Sequence, residues 1–279
     1  MSPANSSSAS TSTLTREPFV PYRPFPAIIE AYYIYDLSFA TLKTFKLCDG
    51  TASSSSPNSK DALFSVQVHT GYIPRKPLGM KPGLILHNGP SHKDPILAAA
   101  GAESFWSAAW WAFNANSLVF LPPVHPTRDS TKDDMVVEAM VAENLDGDEG
   151  VAFRLSMVVG SPGEERIELF EWRKLKCPES KTIGFHLFSR TPRNGPETVE
   201  PRENEPLATI TWPKATSYFK KAFTLELKGR VLDGSLGQRG TIMVVTTALR
   251  LRFLRGAGQM TKVYIGVASK SPRGGVCPA

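Results

Sequence analysis

The chain has few cysteines, and this scarcity argues against a disulfide framework. Cys48, Cys177 and Cys277 are widely spaced among its 279 residues. An odd, dispersed set is typical of free thiols in a reducing compartment rather than of a secreted disulfide-rich domain. We therefore expect a cytoplasmic protein, with peripheral association with a membrane and a nuclear location both left open.

Apolar segments of membrane-spanning length are also missing. Residues 240–249 form an uncharged run of ten, about half of the roughly 20 residues that a helix needs to cross a bilayer, so we expect this run to lie inside the protein. Residues 1–15 hold no apolar core of a secretory signal, and Cys277 lies one position too late for prenylation. We expect no transmembrane segment and no lipid anchor.

Motifs for catalysis and for metal binding are missing as well. The chain contains no Gly-x-Ser-x-Gly nucleophile motif. His87, His92 and Asp94 are close in sequence, but their spacing is not diagnostic of a metal site and fits a hairpin turn beside Asn88-Gly89. We expect a non-enzymatic protein that needs no cofactor and no metal.

Alternating apolar and polar residues dominate the middle of the chain and predict an all-β domain over residues 27–255. Residues 1–26 are rich in serine and proline and predict a disordered arm. Residues 256–279 form a tail that is either an extra strand or unstructured, and the flanking Gly, Pro and Ser favour the second. The predicted strands are residues 32–35, 42–47, 62–68, 83–87, 95–99, 117–121, 135–141, 151–159, 166–174, 183–188, 207–212 and 219–228.

The uncharged run near the C-terminus is ambiguous on its own. Its valines, isoleucine and threonines favour a strand by propensity. Its length and its apolar character on every side suit a buried helix instead. The residues alone leave both interpretations open.

Several segments, taken in order, resemble fungal proteins of tubby-like architecture, which group with the LURP-one-related and phospholipid-scramblase proteins. These segments are the aromatic strand at 32–35, Ala-Leu-Phe-Ser-Val at 62–66, the hairpin at 84–98, Phe-Glu-Trp-Arg-Lys at 170–174, Pro-Leu-Ala-Thr-Ile at 206–210 and the run at 240–250.

The resemblance implies a closed antiparallel barrel of about twelve strands around a hydrophobic C-terminal helix. It therefore favours the helix for the ambiguous run, with Gly237 and Gly240 letting the chain turn into the barrel. It implies that Ile242, Val245, Leu249 and Phe253 lie inside along one side of the helix, and that Met243, Val244, Ala248 and Leu251 cover the rest.

Positive charge is concentrated in the last third of the chain. Residues 201–279 carry 13 Lys and Arg against 4 Asp and Glu, whereas residues 1–200 carry 19 against 22. Such a surface attracts anions, although a merely solvated face has the same composition. The candidate ligand-binding residues form one basic cluster: Lys214, Lys220, Lys221, Lys228 and Arg230.

Two function classes remain open, and only the first depends on this charge. Tubby proteins bind phosphoinositide headgroups through basic side chains, so the resemblance implies a binding module recruited to anionic phospholipid. The alternative is a scaffold protein whose loops, residues 126–150 and 191–206, contact another protein. Nucleic acid is not an expected partner, because no recognised nucleic-acid motif accompanies the charge.

A dense aromatic cluster lies at residues 105–113. At helical spacing, Trp106, Trp110 and Phe113 share one face, and Trp111 lies beside them. Packing of this face against the barrel is one interpretation. Insertion into a membrane or stacking on a ligand is the other, because tryptophan favours the headgroup region of a bilayer.

Overall fold

The computed structural model describes most of the predicted domain. The described residues are 19–34, 44–51, 62–103, 115–127, 129–131, 133–145, 150–160, 163, 165–174, 183–190, 205–213, 221–261 and 265. Within these ranges, no helix combines the length and the hydropathy needed to span a bilayer.

Within the described residues, twelve β-strands form the body of the protein, and each falls at or close to a segment predicted as a strand. The first strand begins before the predicted residues 32–35, and the fifth extends beyond residue 99. The strands are β1 Ile28–Ile34, β2 Thr44–Asp49, β3 Ala62–His69, β4 Gly83–His87, β5 Ile96–Ala102, β6 Ser117–Leu121, β7 Val136–Asn144, β8 Val151–Val159, β9 Arg166–Lys174, β10 Ile183–Ser189, β11 Ala208–Trp212 and β12 Lys221–Leu227.

The strands close into one antiparallel barrel. Each strand pairs with its neighbour in sequence, and β1 pairs with β12 to complete the ring, with Ile29 opposite Leu225. Closure satisfies the backbone hydrogen-bonding groups that an open sheet would leave on its two edge strands. The prediction of a closed barrel of about twelve strands is confirmed.

Side-chain alternation along β9 shows how the sequence separates the interior from the outer face. Phe170 and Trp172 are fully buried inside the barrel. Glu171, between them, points to the outer face and is bonded there by Arg154 and Arg173. The period of two that predicted these strands therefore assigns the interior correctly.

A helix, α1 Gly237–Gly256, fills the barrel. All ten residues from 242 to 251 are buried, so every face of the helix is covered by strands. The helix contacts β4, β5, β6, β8 and β12. The prediction of a buried C-terminal helix is confirmed, and the strand preference of the valines and threonines is overridden by packing on all sides. Phe253, nearer the end, is half-buried.

Several polar side chains inside the barrel are hydrogen-bonded. The hydroxyls of Thr246 and Thr247 donate to backbone carbonyls one turn earlier in α1, at 2.7 and 2.9 Å. The indole of Trp172 donates to the Thr247 hydroxyl at 3.0 Å. Arg250 is also buried and donates from Nε to the Ser117 hydroxyl at 2.7 Å. These bonds offset the cost of placing polar atoms in an apolar interior.

The chain enters the barrel at a glycine turn. Gly237 has φ of +69°, and a Cβ there would lie 3.0 Å from the carbonyl oxygen of Gly160. A residue with a side chain would therefore be strained by its backbone angles and crowded by this carbonyl. Arg239 fixes the first turn, because its guanidinium donates to the carbonyls of Pro122 and Val158 and to the carboxylate of Glu138, at 2.9, 2.8 and 2.8 Å.

Residues 19–26 lie on the barrel, although their composition predicts part of a disordered arm. The ring of Phe25 stacks on Phe64 with centroids 4.5 Å apart, and Phe19 is buried. Asn88 accepts a hydrogen bond from the backbone N–H of Tyr22 at 2.8 Å. The aromatic residues among the prolines supply this packing, which composition alone does not reveal. Residues 1–18, and most of the predicted tail after residue 261, lie outside the described residues.

Candidate functional site

The described members of the predicted basic cluster do not form one patch. Lys214 and Lys220 lie outside the described residues. Lys221 begins β12, whereas Lys228 and Arg230 follow the end of that strand. Since a strand rises about 3.3 Å per residue, Lys221 and Lys228 are roughly 23 Å apart along the barrel. The described members are therefore divided between its two ends.

Each described member of the cluster is also paired with a glutamate. Lys221 donates to Glu30 on the neighbouring strand. Lys228 lies 2.9 Å from Glu226, and both side chains of this pair are partly exposed. Their charges are partly neutralised before any anion arrives, which weakens the attraction that the sequence suggests.

Arg230 makes the most buried of these pairs. It lies in a single 3-10 turn, Gly229–Val231, which leads from β12 towards α1. Its two terminal nitrogens donate to the two oxygens of Glu168, at 2.7 and 3.0 Å. Glu168 is only 3% exposed and also accepts a bond from Arg166 at 2.6 Å. This bidentate geometry gives Arg230 a structural role at this end of the barrel.

Two buried carboxylates make stability depend on pH. Burial opposes ionisation of Glu168, but hydrogen bonds from Arg230 and Arg166 outweigh it, and the pKa of Glu168 lies below its ordinary value. Glu171 behaves alike, because bonds from Arg173 and Arg154 outweigh burial and lower its pKa.

We predict that the barrel loses stability in acid through these two groups. A lowered folded pKa stabilises the folded state fully above the unfolded pKa, about 4.3 for glutamate, and this contribution disappears as the pH falls through the folded value. Melting temperatures recorded from neutral pH down to about pH 3 should fall less steeply for Glu168→Gln than for the unchanged protein. Parallel curves for the two proteins would contradict this assignment.

A different segment of the chain, on another side of the barrel, carries positive charge and contains no acidic residue of its own. Residues 62–93 contain Arg75, Lys76, Lys81 and Lys93, and no Asp or Glu. This segment comprises β3, β4, the loop of residues 70–82 between them, and the start of the turn after β4. We call residues 70–82 the flap, and residues 62–93 the acid-free side.

The flap folds back over the outer face of the barrel and is firmly held there. Leu78 is fully buried in an outer-face cluster with Ile85, Ala99 and Phe120. The flap also closes on itself, since the backbones of Arg75 and Gly79 exchange hydrogen bonds of 2.9 and 2.7 Å. Leu78 and this closed turn give the flap a defined conformation despite its length.

The base of the flap is also held in place. A ring nitrogen of His69 lies 2.8 Å from the carbonyl oxygen of Gly79. Gly71 adopts φ of +86°, and a Cβ there would lie 2.5 Å from the carbonyl oxygen of Met80. This approach of the two arms of the flap requires glycine.

Several cations of the acid-free side have no carboxylate partner among the described residues. Arg75 donates to the side-chain amide of Gln67, and Lys81 and Lys93 form no ion pair within the described part of the chain. Lys76 differs, because it lies 2.8 Å from Asp133, although both side chains are mostly exposed. Uncompensated charge of this kind attracts anions more strongly than the paired residues of the predicted cluster.

The first arm of the flap, before the closed turn of residues 75–79, exposes two adjacent large apolar side chains, which we call the tip residues. Tyr72 is 86% exposed and Ile73 is 77% exposed, and Met80 on the opposite arm is partly exposed as well. No secondary-structure period marks these residues, so the sequence pattern does not predict their exposure. The signal was present in the absence of acidic residues around Gly-Tyr-Ile-Pro.

The histidine-rich segment after β4 forms the turn that the sequence predicts. The backbone N–H of Asn88 donates to Pro95 at 2.7 Å, and Nδ1 of His87 lies 2.9 Å from the carbonyl oxygen of Asp94. The Asp94 carboxylate accepts a bond from the backbone of Ser91 at 2.8 Å. Burial lowers the pKa of His87. These contacts with the backbone fix the conformation of the turn.

The predicted aromatic cluster, Trp106, Trp110, Trp111 and Phe113, lies outside the described residues, as does almost all of the loop at 191–206. Comparison of the chain with family models, with curated proteins and with solved structures gives no match. The resemblance to tubby-like proteins therefore remains a prediction, and the fold stands on its own strand pairing.

Proposed function

We propose that this protein is a non-enzymatic binding module that is recruited to anionic membrane lipid through a basic surface. The observation that carries this proposal is the acid-free side, where Arg75, Lys81 and Lys93 have no carboxylate partner among the described residues. A basic residue near an anionic lipid surface contributes about 1 kcal/mol, and this contribution is screened by salt. A few such residues suffice for reversible recruitment.

The filled barrel supports binding at the surface rather than inside. Because α1 is buried on every side, it occupies the space where other barrels hold a small ligand. A central helix inside a closed barrel is also what the resemblance to tubby-like proteins implies. That resemblance supports anionic lipid as the ligand class.

The outer face of β7 to β9 favours protein scaffolding as the second candidate function. Ile167 is 70% exposed and Val137 is 47% exposed, and Val158 lies directly opposite Ile167. Apolar residues gathered on one outer face are typical of a protein contact. Since the barrel is closed, a partner would dock on side chains and could not add a strand to an edge.

Charge reversal at two surfaces tests which one recruits the protein. We predict that Arg75→Glu with Lys81→Glu weakens binding to phosphatidylserine vesicles at least about tenfold, since each lost cation removes about 1 kcal/mol. Lys220→Glu with Lys221→Glu makes the same change in net charge within the cluster predicted from sequence. Vesicle co-sedimentation of both variants, after thermal melts show that each is folded, measures the difference.

Greater loss for the Lys220 and Lys221 variant would move the binding surface to the cluster predicted from sequence. Undiminished binding of both variants would contradict recruitment through either surface. If neither charge reversal changes vesicle binding, and both variants still bind a protein partner, the result would support the scaffold function instead.

A further inference from the structure

The tip residues are more apolar than the described packing of the flap requires. The flap is held by Leu78, by the bonds between Arg75 and Gly79, and by the contact of His69, none of which involves the side chains of Tyr72 or Ile73. These two side chains point almost entirely into solvent. Polar residues at both positions would leave the described packing of the flap intact, so this packing does not require apolar side chains there.

Three cations lie in the same flap as this apolar pair. Arg75 and Lys76 follow it within the flap, and Lys81 lies on the returning arm beside Met80. Exposed apolar residues that share a flap with cations match the layered chemistry of an anionic bilayer, in which charged headgroups cover hydrocarbon. The conformation is already defined in the free protein, so little ordering free energy is lost on contact.

We propose that the flap inserts Tyr72 and Ile73 into the interfacial region of an anionic bilayer while Arg75 and Lys81 contact the headgroup phosphates. This inference rests on the proposed function and specifies how the bilayer is engaged. Tyrosine suits the headgroup level because its ring is apolar and its hydroxyl is polar. Isoleucine has no polar group, so burying its side chain deeper in the bilayer is favourable, while the tyrosine hydroxyl stays at the headgroup level.

A bilayer fits these residues better than a soluble polyanion does. Nucleic acids and other polyanions are held by cations and, where bases are exposed, by stacking on aromatic rings. Ile73 offers no stacking face, and its 77% exposure would remain in such a complex. Insertion into lipid is the mode in which both tip residues contribute.

The test compares the tip with an equally exposed apolar residue elsewhere. The variant Tyr72→Ser with Ile73→Ser removes both tip side chains, and Ile167→Ser removes an isoleucine that is 70% exposed on the outer face of β9. Both variants should melt like the unchanged protein, because exposed side chains contribute little to folding. Co-sedimentation with phosphatidylcholine vesicles that contain about one quarter phosphatidylserine is measured at low and at near-physiological salt.

We expect the tip variant to bind at least about tenfold more weakly than the unchanged protein, and Ile167→Ser to bind equally well. We also expect the loss to persist at the higher salt concentration, because burial of apolar groups is not screened. Ile73→Asn alone serves as a second variant and should show an intermediate loss.

Two results would overturn the inference, and they are distinguishable. If the unchanged protein binds the vesicles and the tip variant binds equally well, insertion is wrong while recruitment to the membrane stands. If the unchanged protein binds neither type of vesicle, with or without phosphatidylserine, the proposed function fails and the insertion fails with it. If the protein is retained on heparin but binds no vesicles, the proposed function also fails, and the ligand would be a soluble polyanion.

Discussion

Replacement of Val245 by aspartate should leave no folded barrel. Val245 is 1% exposed and lies in the run of α1 whose every face is covered by strands. A carboxylate there is buried among the apolar residues of the run, and burying a carboxylate without a paired cation costs several kcal/mol. That cost is a large part of the 5 to 15 kcal/mol by which domains are typically stable.

Val137→Asp is the matched control for this change. It makes the same substitution at a valine that is 47% exposed on the outer face of β7. We expect this control to melt within a few degrees of the unchanged protein, since an exposed carboxylate keeps its hydration. Circular dichroism and thermal melts compare the two variants. A Val245→Asp protein that melts like the control would exclude a helix enclosed by the barrel.

Arg230→Ala should cost about 3 kcal/mol of unfolding free energy, because it leaves the buried Glu168 carboxylate without its bidentate partner. The remaining bonds from Arg166 and Ser189 keep the loss near the lower end of the range for broken buried pairs. For a domain of this size, a loss of that magnitude lowers the melting temperature by roughly 10 °C.

Lys228→Ala provides the comparison, since Lys228 is also a member of the predicted cluster but pairs with Glu226 at the surface. We expect its effect to stay within about 0.5 kcal/mol, as is usual for exposed ion pairs. Denaturant unfolding of both variants measures the difference. Equal effects would mean that Arg230 is not the structural residue that its contacts indicate.

The strands could be predicted well because the sequence pattern of a strand depends on neighbouring residues. Alternation along β9, with Phe170 and Trp172 inside, is a property of neighbouring residues and needs no knowledge of partners. The helix was harder, because Val244 and Val245 prefer a strand by propensity and only enclosure on all sides favours α1. The resemblance supplied what the local signal could not.

The basic surface was less predictable from sequence because charge neutralisation depends on distant residues. Lys221 and Arg230 are close in sequence, but Glu30 and Glu168, which neutralise them, are brought there by the closed barrel. The flap could not be predicted from the sequence for a related reason. The conformation that exposes Tyr72 and Ile73 depends on the burial of Leu78 against other strands. No periodic pattern within the flap predicts that contact.

The most direct test of the central claim is co-sedimentation of the unchanged protein with vesicles that contain phosphatidylserine or a phosphoinositide, and with vesicles of phosphatidylcholine alone. Recruitment through basic side chains predicts selective binding to the anionic vesicles, strong at low salt and weaker near physiological salt. Equal binding to both vesicle types, or binding to neither, would contradict recruitment by anionic lipid.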